Sequence, residues 1–467
     1  MKKVEHVEHL EITGISADGK GVGRKDNLVI FVNQSAPGDI LDVKIIGKDK
    51  KFLIGTPQFF HKKSPNRIIP FCEHFGICGG CKWQHIDYQS QLKYKEEHVN
   101  ANLKKLSNMP IPDSEPILGS VKTDHYRNKL EYTFSNKRWL TTEELASEIP
   151  PSGNAVGFHI PKMFDKILDI EQCHLQPEPS NQIRLALKQF AEAHELSFYD
   201  IKGNHGLLRN LIIRTTTTGE VMVIVQFGED DEASILSVMN FLNEQFPSLT
   251  SLLYLINLKK NETLYDQKIL KFSGQDFISE KMGDLIFKIG PKSFYQTNSL
   301  QAHELYKIVA AFADLKGNEL VYDLYTGTGT IANFIAKSAG KVIGIESIGE
   351  AVQDAIYNSK LNQITNTLFY AGDMKDMLSG EFIEKNGLPD VVITDPPRVG
   401  MHKNVIDALN ALNPPKIIYV SCNPATQARD LDLLKEQYEM IKTQAVDMFP
   451  HTQHIENIVL LKLKNHA

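Results

Sequence analysis

Residues 300–467 alternate short apolar segments with helical segments, and this alternation constrains the fold more than any other feature of the sequence. Such alternation is typical of a mostly parallel sheet with helices on both faces. It predicts a doubly wound α/β domain, in which ligands bind at the carboxyl ends of the strands. The predicted strands are 319–324, 342–345, 367–370, 391–394, 417–421 and 458–463.

Two further regions precede this domain. Residues 1–65 contain short strand-like runs separated by glycine-rich turns, which predicts a small β-barrel of the OB type. Residues 66–285 mix strand-like and helical segments without an internal repeat, which predicts a central α+β domain. A chain of 467 residues is long enough for three domains, and we expect the α/β domain to occupy residues 286–467.

The distribution of charge indicates a polyanionic partner for the N-terminal region. The net charge is −6, yet between Lys44 and Arg67 seven basic residues stand against one acid, Asp49. A basic segment on an acidic chain is typical of a nucleic-acid-binding module, and a solvated lysine-rich surface is the alternative. The sequence has no run of about 18 apolar residues and no signal-peptide core at its start. We therefore expect a cytoplasmic protein without a membrane partner.

A glycine-rich turn, Asp323-Leu-Tyr-Thr-Gly-Thr-Gly-Thr330, follows the first strand of the α/β domain. Gly327 and Gly329 permit a tight turn and a close approach of backbone to ligand. Glu346 ends the next strand, where a carboxylate can accept hydrogen bonds from two ribose hydroxyls. Because the third glycine of the dinucleotide motif is missing, a nucleoside ligand without a pyrophosphate fits better. S-adenosyl-L-methionine is the candidate, and a purely structural turn is the alternative.

Two more motifs follow strands of the same predicted sheet. Asp395 is followed by two prolines, which stop the strand and fix a carboxylate that can orient a base. Cys422 follows the strand 417–421, and a thiolate at that edge can act as a nucleophile. A buried cysteine that serves only as a small apolar residue is the alternative.

Glu456 closes the motif Pro450-His-Thr-Gln-His-Ile-Glu456, directly before the last predicted strand. A carboxylate in this position suits a general base. A metal site formed by His451, His454 and Glu456 is a weaker hypothesis, because these residues lie on an irregular loop without a fourth ligand.

Four of the five cysteines have the spacing of a metal site. Cys72, Cys78 and Cys81 form a Cys-x5-Cys-Gly-Gly-Cys motif, and Cys173 is a distant fourth ligand. In a reducing compartment, clustered cysteines indicate a metal rather than disulfides. The single remote ligand fits an iron–sulfur cluster better than a zinc ribbon, which usually pairs two Cys-x2-Cys motifs, and zinc stays open.

In their chain order these motifs resemble the RNA (uracil-5-)-methyltransferases, most closely the 23S ribosomal RNA enzymes of the RumA/RlmD type. The resemblance covers nearly the whole chain, since residues 1–60 resemble the family's N-terminal TRAM barrel. It implies a bacterial enzyme that makes 5-methyluridine with S-adenosyl-L-methionine and carries a four-iron, four-sulfur cluster. The motifs that carry it are Cys-x5-Cys-Gly-Gly-Cys, Phe294-Tyr-Gln-Thr-Asn298, Asp-Pro-Pro-Arg, Ser-Cys-Asn-Pro-Ala-Thr and Pro-His-Thr-x-His-x-Glu.

Matched position by position, the resemblance implies that Cys422 is the nucleophile and Glu456 the base. It implies cluster ligands at Cys72, Cys78, Cys81 and Cys173. Thr326 departs from the cysteine that many members have at this position, and Thr330 from the asparagine of some. The residues that resemble the set around S-adenosyl-L-methionine are Gln296, Tyr325, Thr330, Glu346, Asp373 and Asp395, together with the turn glycines Gly327 and Gly329.

We therefore expect methylation of carbon 5 of a specific uridine in 23S ribosomal RNA. The expected route is covalent addition of Cys422 to carbon 6, methyl transfer, removal of the carbon 5 proton and elimination. Since the uridine has to leave its stack, the barrel and residues 126–129 and 208–210 are candidate RNA-binding surfaces. We expect a monomer without an obligate protein partner.

Three alternatives remain at this point. Within the family, the substrate could be a T-loop uridine of transfer RNA. Methylation of an exocyclic amine is disfavoured, because Arg398 stands where those enzymes usually have a stacking aromatic and because such a reaction needs no Cys422 and Glu456. A catalytically inactive RNA-binding or assembly protein is disfavoured because each expected catalytic position holds the required residue type.

Overall fold

The computed structural model describes residues 6–49, 51–147 and 153–465. Five strands at its N-terminal end form a closed barrel: β1 (His6–Ile15), β2 (Gly21–Lys25), β3 (Leu28–Val32), β4 (Ile40–Lys48) and β5 (Phe52–Lys62). Their order around the barrel is β1-β2-β3-β5-β4. Alternate residues of the strands, such as Leu10, Ile12 and Val43, fill its core. The predicted small barrel is confirmed.

Two of the barrel strands were not predicted from the sequence, β2 and β5. The sequence predicted turn residues at the glycines of β2, but these glycines lie inside a strand, where atoms of neighbouring strands approach them closely. A Cβ at Gly21 would lie 2.8 Å from Ile12 Cγ2, and one at Gly23 would lie 2.7 Å from Glu11 O. These glycines are therefore required by packing across the barrel.

The basic segment of the barrel is partly engaged in the fold itself. Arg67 donates two hydrogen bonds to the buried carboxylate of Asp39, at 2.7 and 2.8 Å, and lies over the ring of Phe60. Of the other predicted basic residues, Lys50 lies outside the described residues. Lys62 and Lys63 are exposed at the end of β5.

The middle of the chain begins with α1 (Tyr88–Leu106) and β6 (Glu115–Leu118) and continues as a seven-stranded sheet. The strands of this sheet are β7 (Lys129–Ser135), β8 (Ala155–Ile160), β9 (Met163–Asp169), β10 (Leu208–Thr215), β11 (Val221–Phe227), β12 (Ser251–Ile256) and β13 (Leu270–Gly274). The associated helices are α2 (Thr142–Ala146), α3 (Ser180–Ala193) and α4 (Glu232–Gln245). The strand order is β13-β12-β11-β10-β7-β8-β9.

The C-terminal part opens with a two-stranded sheet, β14 (Ile278–Met282) and β15 (Leu285–Ile289). The elements that follow are α5 (Ser299–Ala313), β16 (Leu320–Leu324), α6 (Thr330–Ile335), β17 (Lys341–Glu346), α7 (Gly349–Leu361), β18 (Thr367–Ala371), α8 (Met374–Met377), α9 (Gly380–Asn386), β19 (Val391–Thr394), α10 (Lys403–Leu412), β20 (Lys416–Ser421), α11 (Pro424–Leu434), β21 (Tyr438–Val446) and β22 (Glu456–Leu463). A short 3-10 helix, Ala336–Ser338, extends α6.

An eight-stranded sheet forms the centre of this part, in the order β18-β17-β16-β19-β20-β22-β21-β6. The strands from β18 to β20 are parallel, and β22 runs antiparallel to β20. Alternate residues of each strand face opposite sides of the sheet. In β16, for example, Val321 and its neighbour Tyr322 belong to different apolar clusters. The predicted doubly wound α/β domain is confirmed.

The last strand of this sheet comes from the middle of the chain, because β6 pairs with β21. The helix before it, α1, packs against α11. The C-terminal sheet is therefore completed by residues far upstream of residue 286, and the domain boundary there stays a prediction. No helix in the described ranges has the length and apolar character needed to cross a membrane.

Candidate active site

Polar side chains from five strands meet at one edge of the eight-stranded sheet. The residues at these strand ends are Glu346, Tyr325, Asp395, Cys422 and Glu456. Since β17, β16, β19 and β20 are parallel, their carboxyl ends lie on the same side. The antiparallel strand β22 begins there, and its pairing of Asn457 with Ser421 brings its first residue, Glu456, opposite Cys422.

These five residues line one cavity of about 1060 Å³. Gln296 and Gly327, which the sequence also indicated, line the same cavity. The cavity is large enough for a nucleoside together with a base from a second molecule. The sheet topology thus brings motifs that are separated by up to 160 residues (Gln296 to Glu456) into one site.

The turn after β16 has three residues in the left-handed region, Tyr325 (φ 61°), Gly327 (φ 56°) and Gly329 (φ 77°). This conformation is costly for a tyrosine and natural for glycine. A Cβ at Gly327 would meet no atom within 4 Å, whereas one at Gly329 would lie 2.9 Å from Ala355 Cβ. Gly327 therefore keeps the cavity open, and Gly329 permits packing against α7.

The carboxylate of Glu346 is held in place by this turn. The backbone amide of Gly327 donates to Glu346 Oε2 at 3.1 Å, and the amide of Ile348 and the hydroxyl of Ser347 donate to Oε1 at 3.0 Å. Only 9% of the residue is exposed. The carboxylate is thus fixed in the cavity wall before any ligand arrives.

Asp323 stabilises the turn from inside the protein. Its Oδ2 accepts hydrogen bonds from the hydroxyl of Thr326 at 2.5 Å and from the amide of Ala332 at 3.1 Å. Burial raises the pKa of this carboxyl to about 7. Thr326, the departure from the family pattern, thus has a structural partner of its own.

The acids at the cavity influence one another strongly. Burial raises the pKa of Asp395 to about 7, and burial followed by the charge of Asp395 raises the pKa of Glu456 well above its usual range. Burial, then the charges of Glu456 and Asp395, raise the pKa of Cys422 to about 12, while Arg398 lowers it. In the protein alone the thiol is therefore protonated at neutral pH.

Two further residues line this cavity: Arg398, which the sequence did not assign to the site, and His454, which it named only for the weaker metal hypothesis. Burial, then the charges of Arg398 and of nearby lysines, lowers the pKa of His454 to about 4, so this imidazole is neutral. The signal in the sequence was their position inside the Asp-Pro-Pro-Arg and Pro-His-Thr-x-His-x-Glu motifs.

Three predicted site residues do not line the cavity. Gly329 packs behind the turn, and Thr330 Oγ1 lies 3.0 Å from the hydroxyl of Tyr306. Asp373 accepts a hydrogen bond from the amide of Lys375 at the start of α8 and is half exposed. Its charge contributes, after burial, to the raised pKa of Tyr325, so it lies near the edge of the site.

The structure does not support a metal site at His451, His454 and Glu456. Within the described ranges, the ligand atoms of these three residues do not all lie within 4.8 Å of one another. His451 Nδ1 instead lies 3.3 Å from Gln91 Nε2.

The four clustered cysteines, Cys72, Cys78, Cys81 and Cys173, line a second cavity of about 420 Å³. In the part of the chain that the structure describes, no three of their sulfurs lie within 4.8 Å of one another. The sulfurs around a single tetrahedral zinc would lie about 3.8 Å apart, given a zinc–sulfur bond of about 2.3 Å. The spacing of the sulfurs is thus wider than a single bound zinc imposes.

Comparison with protein families identifies two regions. Residues 266–464 match the tRNA (uracil-5-)-methyltransferase family, and residues 2–57 match the TRAM domain. An uncharacterized RNA methyltransferase of Bacteroides thetaiotaomicron is 53% identical over 96% of this chain and 100% of its own length. One from Porphyromonas gingivalis is 53% identical over 97% and 99%.

The comparison with solved structures agrees. The tRNA (uracil-54, C5)-methyltransferase of Pyrococcus abyssi, solved in complex with S-adenosyl-L-homocysteine, is 29% identical with a TM-score of 0.76. The match covers 97% of this chain and 99% of that one. The expected order of a TRAM barrel followed by a C-terminal methyltransferase fold is thus confirmed. The chain belongs to the RNA methyltransferases, with a tRNA (uracil-5-)-methyltransferase family domain at residues 266–464 and a TRAM domain at residues 2–57.

Proposed function

We propose that this protein transfers a methyl group from S-adenosyl-L-methionine to carbon 5 of a uridine in 23S ribosomal RNA. The observation that carries the proposal is the presence of Cys422, Asp395 and Glu456 in the same cavity as the glycine turn. Carbon 5 of uracil is a weak nucleophile, and a thiol that adds to carbon 6 converts it into a reactive enolate.

In the first step the sulfur of Cys422 forms a bond to carbon 6, and the electron pair of the 5,6 double bond moves towards the carbonyl oxygen. The thiol proton needs an acceptor, and Asp395, with a pKa of about 7, suits this role. The charge of Arg398 favours the thiolate. The protonated Asp395 can then donate a hydrogen bond to the uracil oxygen on which charge develops.

In the second step carbon 5 takes the methyl group, and the bond between methyl and sulfonium breaks. The ionised form of Glu456 is favoured once a positive sulfonium lies in the same low-dielectric cavity. Glu456 then removes the carbon 5 proton. The electron pair of the broken carbon 5–hydrogen bond restores the 5,6 double bond, and the bond from carbon 6 to the sulfur of Cys422 breaks. The released thiolate recovers its proton from Asp395.

We assign the methyl donor to the wall formed by the glycine turn. The fixed carboxylate of Glu346 suits ribose hydroxyls, and the open side of Gly327 admits the nucleoside. Gln296 and Tyr325 line the same cavity, and Asp373 lies close enough for its charge to act on Tyr325. We expect Gly329 and Thr330 to act by shaping the turn rather than by contact.

We also propose that Cys72, Cys78, Cys81 and Cys173 hold a four-iron, four-sulfur cluster. The open spacing of the sulfurs supports this choice over zinc. Such a cluster would tie residue 173 of the central domain to the 72–81 loop, which is a structural role.

Transfer RNA is the second candidate substrate, because the Pyrococcus abyssi enzyme is a tRNA (uracil-54, C5)-methyltransferase. The test is formation of 5-methyluridine from labelled S-adenosyl-L-methionine with unmodified 23S ribosomal RNA and, separately, unmodified transfer RNA. Product in ribosomal RNA alone supports the proposal. Product in transfer RNA alone overturns the substrate assignment and keeps the chemistry, and product in neither overturns both.

A further inference from the structure

Three cations surround the place where the two cavities meet. Arg127 and Arg398 line the catalytic cavity, and Arg127 also lines the cysteine cavity. The two cavities share Thr452 and His454 besides Arg127. Lys82, which directly follows a cysteine of the second cavity, lies close enough for its charge to act on His454.

None of these three cations forms an ion pair with a carboxylate of residues 6–49, 51–147 or 153–465. Lys82 Nζ reaches only the backbone oxygen of Asp18, at 3.4 Å, and Arg127 Nε donates to the backbone oxygen of Lys129 at 3.0 Å. The chain has more acids than bases, 57 against 51. Two arginines of the catalytic cavity and a neighbouring lysine, all without an acidic partner in the described ranges, form a positive patch that favours a negatively charged ligand.

Several other arginines of the chain are satisfied within the fold. Arg67 binds Asp39, and Arg138 binds Glu144 and Asp169. The arginine of the predicted RNA-binding segment 208–210 is 1% exposed and donates to three backbone oxygens. The expectation that residues 208–210 contact RNA is therefore wrong, because that side chain is used internally.

Lys82 is held in position by backbone hydrogen bonds. Its own amide and that of Trp83 donate to the backbone oxygen of His451, at 2.8 and 3.0 Å. The indole of Trp83 donates to the backbone oxygen of Gly19 in the barrel at 2.9 Å. The backbone of Lys82 is thus fixed between the barrel and the segment that leads to Glu456, which sets the region that its ammonium group can reach.

We propose that Lys82, Arg127 and Arg398 bind the RNA phosphodiester groups that flank the methylated uridine. The inference rests on the proposed function and deepens it. A uridine that leaves its stack brings its 5′ and 3′ phosphates to the mouth of the cavity. A guanidinium pairs with two phosphate oxygens at once, and an ammonium adds a point charge.

The test is the salt dependence of RNA binding by the full chain. The probe is a fluorescein-labelled 12-nucleotide oligouridylate, and the readout is fluorescence anisotropy between 50 and 200 mM KCl. Lys82→Ala, Arg127→Ala and Arg398→Ala are compared with wild type. The matched control is Lys260→Ala, which removes an exposed cation that lines neither cavity.

Each of the variants Lys82→Ala, Arg127→Ala and Arg398→Ala should weaken RNA binding several-fold. Each should also reduce the slope of log K against log salt by about 0.7 for each lost phosphate contact. Arg127→Lys should restore most of the slope, which separates loss of charge from misfolding. Slopes equal to those of wild type and Lys260→Ala would overturn the proposal. Formation of a covalent adduct at Cys422 is measured separately. A wrong assignment of the phosphate-binding residues and a wrong methylation mechanism therefore give different results.

Discussion

Lys95 and Asp447 form an ion pair with a distance of 2.6 Å, and neither side chain is exposed to solvent. Lys95 Nζ also donates to the backbone oxygen of Phe449 at 3.0 Å, and the hydroxyl of Tyr88 donates to Asp447 Oδ2 at 3.0 Å. This network connects α1 to the segment between β21 and β22. That segment ends at Glu456, so the pair fixes the approach to the proposed base.

Replacement of Lys95 by Met should destabilise the protein by about 3–5 kcal/mol, because it leaves a buried carboxylate without its cation. The free energy of unfolding is measured by urea denaturation. The double variant Lys95→Met/Asp447→Asn should recover much of the loss, since it removes both charges. A single variant within about 1 kcal/mol of wild type would contradict the importance of the pair.

The affinity for S-adenosyl-L-methionine should increase with pH. Burial raises the pKa of Asp395 to about 7 and that of Glu456 well above its usual range, so both carboxyls are largely protonated in mild acid. A positive sulfonium favours their ionised forms, and binding therefore releases protons. The increase through pH 7 should be at most about tenfold per pH unit for each proton released. Titration calorimetry in buffers of different ionisation enthalpy measures both quantities.

The neutral thioether S-adenosyl-L-homocysteine is the control ligand for this experiment. Its affinity should change much less with pH, and Asp395→Asn should flatten the profile of the sulfonium ligand. Identical pH profiles for the two ligands would show that the carboxyls do not respond to the charge of the sulfonium.

Much of the site could be predicted because parallel strands end at one edge. Tyr325, Asp395 and Cys422 each follow an apolar run, and that local pattern was sufficient to group them. The antiparallel strand β21 and the short strand β6 were not predicted. Their pairing joins residues more than 300 positions apart, and no local pattern encodes it.

Partners of charged residues could not be read from the sequence either. Lys95 lies in a helical segment of mostly polar composition, and its acid is 352 positions away. Arg209 is of a residue type that often binds RNA, but its guanidinium donates hydrogen bonds to backbone oxygens of the protein itself. Burial of a cation depends on tertiary packing, so charge runs alone overestimate the binding surface.

The two turn glycines should respond differently to replacement by alanine. Gly327→Ala adds a Cβ on the open side of the turn and should weaken binding of S-adenosyl-L-methionine, while stability falls only by the backbone cost of the positive φ. Gly329→Ala places its Cβ 2.9 Å from Ala355 and should reduce stability more. Because both residues have a positive φ, the backbone strain of an alanine should destabilise the two variants by a similar free energy. Equal effects of the two variants on melting temperature would contradict this assignment.

Anaerobically purified protein should contain iron and acid-labile sulfide in equal amounts and absorb broadly in the visible range. Cys81→Ser should lose both iron and absorbance because it removes one of four ligands. Cys422→Ser is the matched control and should keep them. One zinc per chain without sulfide would contradict the cluster assignment.

The covalent intermediate tests the central claim most directly. Wild type, Glu456→Gln and Cys422→Ala are incubated with unmodified 23S ribosomal RNA and S-adenosyl-L-methionine, and protein–RNA adducts are separated on a denaturing gel. Glu456→Gln should accumulate a methylated adduct that cannot eliminate, while Cys422→Ala should form neither adduct nor 5-methyluridine although it still binds RNA. Formation of 5-methyluridine by Cys422→Ala at a substantial rate would contradict the mechanism.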